Sequence, residues 1–287
     1  MPWLFHFAIA AAIIAAALWR FWRSAKRDKA ELARVEATLW PPGSGDRPKR
    51  FQAMSVDDLP EPAARYLRWS IAEGAPLAHA VRLQLTGSIR LARGRPWIPI
   101  RCEETLHAHR GFVWKAATGG NMRMSGFDRY FENVGEMNWR LFGLVPVMRA
   151  RDPNISRSAL HRFLMEWMLA PAALLPSDEV EWAPLDDRTA ILKIRHLTHL
   201  LEMVLTVDPE GMPRKLSMLR WGNFETDGGG WQEIPYAVRF EGVYRNGGYT
   251  LPHEIRASWW AGTDRELEVV NLEIAKAEFG AFPRQTV

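Results

Sequence analysis

One uninterrupted apolar segment near the N-terminus sets the strongest limit on how this chain can fold. Residues 3–19 read WLFHFAIAAAIIAAALW and carry no formal charge. As an α-helix they would rise about 25 Å, close to the roughly 30 Å hydrocarbon core of a bilayer. Arg20 can extend its side chain to the head groups, while Trp19 and Trp22 suit the interfacial aromatic belt. The segment therefore predicts a single transmembrane anchor over residues 1–23.

Positive charges follow this segment, and their position bears on its processing and its orientation. A cleaved secretory signal is the competing interpretation, because Ala15, Ala16 and Ala17 resemble a small-residue cleavage site. Such signals carry their cations before the apolar stretch, whereas here they come after it. The five cations are Arg20, Arg23, Lys26, Arg27 and Lys29. We therefore expect an uncleaved signal anchor, with the globular part on the cytoplasmic side by the positive-inside rule.

Composition excludes several classes of protein. With 47% apolar residues, the 287-residue chain can bury a substantial core. Its net charge of +4 is small, and basic residues are mixed with acidic ones, so we expect no nucleic-acid partner. Its one cysteine, Cys102, rules out an internal disulfide and a thiolate zinc site.

A stretch rich in proline and glycine divides the chain. Residues 24–40 predict a juxtamembrane helix that continues out of the membrane. Its thin apolar face consists of Leu32, Val35 and Leu39. Residues 41–50 contain the sequence PPGSG and predict a linker. Residues 51–287 then predict a β-rich globular domain.

Alternation of apolar and polar residues dominates this domain. The first run places Val81, Leu83 and Leu85 on one face of a strand. Similar runs recur at 98–108, 112–117, 122–131, 136–142, 189–197, 201–207, 215–221, 236–245, 249–260 and 265–277. Asn246-Gly247-Gly248, between two of these runs, suits the positive φ of a hairpin turn. The pattern predicts a mainly β (α+β) fold, a curled antiparallel sheet or half-barrel of about ten strands.

Helical spacing interrupts the strand series at two places. Residues 62–71 predict a short helix before the first strand. Residues 155–169 place large apolar side chains at helical spacing, and Pro171 ends that helix. We expect this second helix to cover the open face of the sheet.

The longest distinctive motif lies in and after this second helix. Residues 162–176, RFLMEWMLAPAALLP, resemble the central motif of the bacterial domain-of-unknown-function family 6544. The segments GFVWKA at 111–116, EVEW at 179–182 and 236–259 fall in the order that this family shows, so the resemblance covers most of the chain from Leu59 onward. It implies a mostly β domain without an assigned activity, often behind an N-terminal apolar segment.

A looser similarity of architecture connects the predicted fold with the lipoprotein-carrier half-barrels. Those are incomplete antiparallel barrels lined with apolar side chains and covered by helices. Likeness of fold is a weak argument for function. The carriers are periplasmic, so this similarity and the charge bias predict opposite sides of a bacterial inner membrane.

Candidate ligand contacts include a charged pair on the second predicted helix. Arg162 and Glu166 stand one turn apart, so they can form an ion pair. This pair could form the polar base of a pocket, or it could orient the helix against the sheet or solvate the outer face of the helix. The full set of candidates is Arg162, Glu166, Trp167, Trp114, Trp182 and Arg220.

Weak metal candidates are His107 and His109, which project from the same face of a predicted strand. A zinc or iron site needs further ligands, and the other close pair, His196 and His199, lacks strand spacing. The alternative is an exposed pair at a strand end. Asp128, Glu132 and Glu136 could act as general acid and base, but carboxylates in hairpin strands usually face solvent.

Catalytic and cofactor motifs of the GxSxG, HExxH and GxGxxG types do not occur in the sequence. The aromatic content is high, and tryptophans can either fill the core or line a cavity for an elongated ligand. Those in the strand region are Trp97, Trp114, Trp139, Trp182, Trp221, Trp231, Trp259 and Trp260.

We therefore predict a noncatalytic, membrane-tethered binder of an apolar ligand, a lipid or acyl chain, without a cofactor. One alternative is a hydrolase or isomerase that acts on a membrane-derived substrate. Another is a structural partner of a second membrane protein.

Overall fold

Antiparallel strands account for most of the chain after the N-terminal helix, in a computed structural model that describes residues 2–41, 48–120 and 123–281. The strands in these ranges are β1 Ala80–Ile89, β2 Ile98–His107, β3 Gly111–Thr118, β4 Met124–Phe131, β5 Val134–Leu141, β6 Val145–Ala150, β7 Val180–Asp186, β8 Thr189–His196, β9 His199–Val207, β10 Pro213–Gly222, β11 Gln232–Glu241, β12 Tyr244–Asn246, β13 Tyr249–Leu251, β14 Glu254–Trp259 and β15 Leu267–Gly280. The α-helices are α1 Pro2–Leu39, α2 Glu61–Ser70 and α3 Pro153–Met165.

Thirteen of these strands form one sheet in the order β6-β5-β4-β3-β2-β1-β15-β14-β11-β10-β9-β8-β7. Every neighbouring pair is antiparallel. Because β6 and β7 lie at opposite ends of this order, the sheet is open. The predicted mainly β fold with a curled, unclosed antiparallel sheet is confirmed.

The two edge strands, β6 and β7, are the ones that the alternation pattern missed. Each contains a proline, Pro146 or Pro184, which removes a backbone donor and is tolerated mainly at sheet edges. In β6 the apolar side chains of Val147 and Met148 are largely exposed. Edge strands need not bury a full face, so their sequences alternate weakly, and the sheet has more than the ten strands expected.

The predicted hairpin turn at residues 246–248 joins β12 and β13, which form a small separate ribbon. Gly247 and Gly248 have φ values of +60° and +84°, the left-handed region that glycine enters without strain. The turn is confirmed, whereas the long strands expected on either side are each broken, since β11 ends at Glu241 and β14 begins at Glu254.

The inner face of the sheet, which α2 and α3 cover, carries the main core. Its buried residues form one continuous cluster with both helices and with the 3₁₀ turns Glu166–Leu169 and Pro171–Leu174. The side chain of Asp152 caps α3 by accepting hydrogen bonds from the backbone N–H groups of Asn154 and Ile155. The predicted helix at 155–169 is thus present as α3 and the 3₁₀ turn that follows it.

Gly135 of β5 lets α3 approach the sheet closely. A Cβ at this position would lie 2.7 Å from the carbonyl oxygen of Ile155 and 2.8 Å from Cβ of Ala159. The backbone N–H of Gly135 donates a hydrogen bond to the hydroxyl of Ser156. This contact sets the height of α3 above the strands that carry the candidate site.

The opposite face of the sheet, here called the outer face, meets the second half of α1. Leu32, Val35 and Leu39 pack there against Val113 and Phe127. α1 is one unbroken helix of 38 residues, about 57 Å long. It is long and apolar enough to cross a membrane, and its most apolar window has no buried residue. Most of the predicted linker, residues 42–47, lies outside the described residues.

Candidate functional site

A buried ion-pair network lies on the inner face where α3 crosses β4. Arg162 donates to Glu166 with an Nε–Oε1 distance of 2.6 Å and to Asp128 with an Nη1–Oδ2 distance of 3.1 Å. Its guanidinium also lies over the rings of Phe112 and Trp114, 4.7 and 4.9 Å from their centroids. The ion pair that helical spacing predicted between Arg162 and Glu166 therefore forms, and it extends to the sheet.

The carboxyls of this network are strongly perturbed. Burial, together with the neighbouring Glu166 carboxyl, raises the pKa of Glu104 well above its ordinary value. Burial also raises the pKa of Asp128, although Arg162 opposes this effect. The indole Nε1 of Trp139 donates to Asp128 Oδ1 at 3.2 Å. The expectation that Asp128 faces solvent is wrong, because its strand turns it toward α3.

Arg220 of β10 extends the network. Its guanidinium stacks between Tyr236 and Trp259, 4.6 and 4.8 Å from the ring centroids. Burial lowers the pKa of Arg220, and no described carboxylate lies within ion-pair distance of it. Four of the six candidate ligand contacts, Arg162, Glu166, Trp114 and Arg220, are thus brought together.

The other two candidates, Trp167 and Trp182, lie elsewhere in the core. Trp167 is fully buried and packs edge-on against Phe163, with 6.0 Å between ring centroids. Trp182 donates from its indole Nε1 to the carbonyl oxygen of Leu174 at 2.9 Å. Both residues fix the segment after α3 against the sheet.

The two metal candidates, His107 and His109, are not an exposed pair. His107 is buried, its Nδ1 accepts a hydrogen bond from the backbone N–H of His109, and burial lowers its pKa to about 3. His109 contacts the ring of Trp167 and pairs with Glu179 at 3.2 Å. Within the described ranges, no group of three or more His, Cys, Asp or Glu side chains is arranged to hold a metal ion.

The outer face forms a second network, between α1 and the strands. Three cations of the sheet pair with three acids of α1: Lys115 with Glu36, Arg129 with Glu31, and Arg140 with Asp28. Arg129 also binds Glu136, which is only 3% exposed. Glu136 was expected to face solvent, and that expectation is wrong because α1 covers it.

A groove opens between α1 and the outer face, beside this network. Its volume is about 860 Å³, within the roughly 300–1,000 Å³ of ordinary ligand sites. On α1 it runs from Leu32 to Trp22, about 15 Å along the helix. We call this cavity the α1 groove.

Small side chains in the middle of the floor leave the α1 groove open. One row across the paired strands consists of Thr86, Arg101, Ala117, Ser125 and Arg140, in which the small residues Ala117 and Ser125 lie side by side between the two arginines. Beyond this row, Val113 and Phe127 fill the space under α1 and contact it directly. The helix is therefore packed at its C-terminal end and leaves a gap toward its apolar N-terminal half.

A second cavity of about 900 Å³ opens beside β9, β10 and β11 near the start of α3. Ionisable side chains surround much of it: Arg157, His161, His199, Glu202, Lys215 and Glu233. The eight strand-region tryptophans line neither this cavity nor the α1 groove. Trp114, Trp139 and Trp182 are core residues, each 7% exposed.

Sequence reasoning missed the α1 groove, although a signal for its helical wall was present. Asp28, Glu31 and Glu36 fall at helical spacing on the same side as Leu32 and Val35. An apolar stripe flanked by acids on its own face predicts a basic partner surface. The floor carries no such signal, because small residues on separate strands become neighbours only through pairing.

Comparison with known proteins gives a family but no activity. The family of unknown function DUF6544 matches residues 49–269, which is most of the chain. The chain belongs to this family. The resemblance noted in the motif at 162–176 is thereby confirmed. No curated protein matches this DUF6544 member.

Solved structures similar to this DUF6544 protein include a LolA superfamily protein from Nitrosomonas europaea. It gives a TM-score of 0.44 and 10% identity, over 77% of this chain and 93% of that one. A putative outer membrane lipoprotein-sorting protein domain from Vibrio parahaemolyticus gives a TM-score of 0.39 and 12% identity, over 76% of this chain and 89% of that one. A DUF1329 family protein from Desulfovibrio piger gives a TM-score of 0.39 and 12% identity, over 70% of this chain and 86% of that one.

Proposed function

We propose that this DUF6544 protein is a noncatalytic, membrane-tethered module that binds a lipid or acyl chain in the α1 groove. The observation that carries the proposal is the position of the groove, between the helix that can enter a bilayer and the small-residue floor of the sheet. Each methylene of a chain buried there would contribute about 0.8 kcal/mol. The groove opens toward the part of α1 whose aromatic residues suit the membrane interface.

The anchor is the second part of the proposal. α1 has the length and composition to cross a membrane once. Trp19 and Trp22 are half-exposed, and Arg23 and Lys26 lie over their rings. We infer a single-pass signal anchor in the bacterial inner membrane, with the α1 groove beside the head groups.

The six sequence-predicted ligand contacts lie on the inner face, and none of them lines the α1 groove. We assign Arg162, Glu166 and Arg220 the role of holding α3 on the sheet, because their charges are used in contacts within the protein. The comparisons favour neither the hydrolase or isomerase alternative nor the structural-partner alternative.

Native mass spectrometry of the full-length protein, extracted from membranes in mild detergent, tests the proposal. We expect the wild type to retain at least one lipid per chain. Ala117→Trp places an indole on the floor of the groove and should remove that lipid. Ala183→Trp makes the same change on an outward-facing position of β7, outside the groove, and should keep it. A wild type without lipid, or equal retention by both variants, contradicts the proposed function.

A further inference from the structure

The α1 groove has an excess of positive charge. Five basic residues line it, Lys26, Lys29, Arg101, Lys115 and Arg140, against two acidic residues, Asp28 and Glu103. The groove thus carries a formal charge of +3 on otherwise mostly apolar walls. A neutral ligand would gain nothing from this excess.

Both acids of the groove are already neutralised. Asp28 pairs with Arg140 and also accepts a hydrogen bond from Asn138 at 3.0 Å. Glu103 pairs with Lys115 at 3.1 Å. The charges that remain uncompensated are therefore those of the other three cations.

No described carboxylate lies within ion-pair distance of Lys26, Lys29 or Arg101. All three side chains are exposed to solvent. Lys26 contacts only the ring of Trp22 among its described polar and aromatic partners, with Nζ 4.2 Å from the centroid. Lys26 and Lys29 are one turn apart on α1, and Arg101 is on the facing strand β2.

This arrangement fits one class of ligand. A phospholipid places acyl chains next to a phosphate, and an anionic phospholipid keeps a net negative charge that a zwitterionic one lacks. Cations on opposite walls can approach the same head group, and the apolar surface between them can bury the chain. Each Lys or Arg near a lipid surface changes the affinity for anionic lipid by about fivefold.

We propose that the α1 groove selects an anionic phospholipid of the surrounding bilayer, with Lys26, Lys29 and Arg101 binding its head group. This rests on the proposed function, because it requires that the groove binds a lipid. It adds the class of head group and the residues that recognise it.

Competition between two lipids with the same acyl chains tests the proposal. The full-length protein is reconstituted in vesicles of equimolar phosphatidylglycerol and phosphatidylcholine, extracted in mild detergent, and its retained lipids are counted by native mass spectrometry. We expect at least a fivefold enrichment of phosphatidylglycerol. The double variant Lys29→Gln and Arg101→Gln keeps Lys26, so it should still retain lipid, with an enrichment at least about fivefold lower than that of the wild type.

A charge-matched control is the double variant Arg27→Gln and Arg195→Gln. It removes one cation from α1 and one from an outward position of β8, and neither residue lines the groove. It should enrich phosphatidylglycerol as the wild type does. Equal retention of both lipids by the wild type, or the same loss of enrichment in both double variants, overturns the selectivity. Retention of neither lipid by the wild type overturns the proposed function as well.

Discussion

At the scale of single residues, the inner face concentrates charge where an antiparallel sheet usually holds only apolar side chains. Arg162 compensates two carboxylates and rests on two aromatic rings. Buried charges are tolerated only when they are paired, so each member of the network depends on the others. The stability of the protein should therefore be sensitive to single substitutions here.

Removing Arg162 should destabilise the protein strongly. Arg162→Met leaves Asp128 and Glu166 buried without a counter-charge, and we expect the free energy of unfolding to fall by about 3 kcal/mol. Arg157→Met, five residues earlier on α3, removes an ion pair whose side chains are 40% and 47% exposed, together with a stacking contact on Trp221, and should cost about 1 kcal/mol or less. Chemical denaturation of the detergent-solubilised full chain measures both. Similar losses would contradict a structural role for the Arg162 network.

Glu104 should make stability depend on pH. Its pKa in the folded state is raised by burial and by Glu166, so the folded state keeps a proton that the unfolded chain loses. The stabilisation is therefore complete at low pH and decreases as pH rises above the ordinary glutamate pKa, by up to about 1.4 kcal/mol per pH unit.

Glu104→Gln, which cannot ionise, should match the wild type near pH 5 and melt at a higher temperature at pH 8. Thermal melts of the two proteins across this range measure the effect. The control is Glu103→Gln, on the outward side of β2, where the side chain is 66% exposed. Its melting temperature should change with pH in the same way as that of the wild type. If the melting temperature of Glu104→Gln changed with pH just as that of the wild type does, Glu104 would be ionised in the folded protein.

At the scale of secondary structure, α1 combines two kinds of surface in one helix. Its N-terminal half is apolar on all sides, as expected for contact with lipid. Its C-terminal half has an apolar stripe with acids beside it and docks on the outer face through both. Docking of this half defines one wall of the α1 groove.

Val35→Asp should release α1 from the sheet. Val35 is 6% exposed, and an aspartate there would have to be buried next to Val113 and Phe127 without a partner. Limited trypsinolysis should then cut faster after the basic residues of 26–34. Ala37→Asp adds the same charge on the exposed side of the same turn and should leave the cleavage rate unchanged. Slow cleavage of Val35→Asp would mean that the docking does not depend on this stripe.

At the scale of the whole molecule, α1 connects a segment that is long and apolar enough to cross a membrane with one open sheet. The charge asymmetry of the anchor predicts that the sheet lies in the cytoplasm. One topology measurement tests this prediction.

Reporter fusions at the C-terminus should show a cytoplasmic domain. A fused green fluorescent protein should fluoresce, and a fused alkaline phosphatase should be inactive. Moving the positive charge of residues 20–29 to the N-terminal side of the anchor should invert both results, because the cation bias sets the orientation. An active phosphatase fusion of the unaltered chain would contradict the orientation.

The sequence by itself determined the apolar helix, the strand-rich fold, the Asn-Gly-Gly turn, the covering helix and the Arg162–Glu166 ion pair. Each of these follows from neighbours in sequence, through a period of two, a period of 3.6 or the backbone freedom of glycine. The edge strands β6 and β7 were missed because an edge strand can expose both faces and tolerates proline.

The tertiary structure alone decided which residues meet across strands. Glu104, Asp128 and Arg220 join the Arg162 network from three separate strands, and Thr86, Ala117 and Ser125 form the floor of the α1 groove only through register. Strand order and register depend on the packing of the entire sheet, and a local pattern carries no information about either.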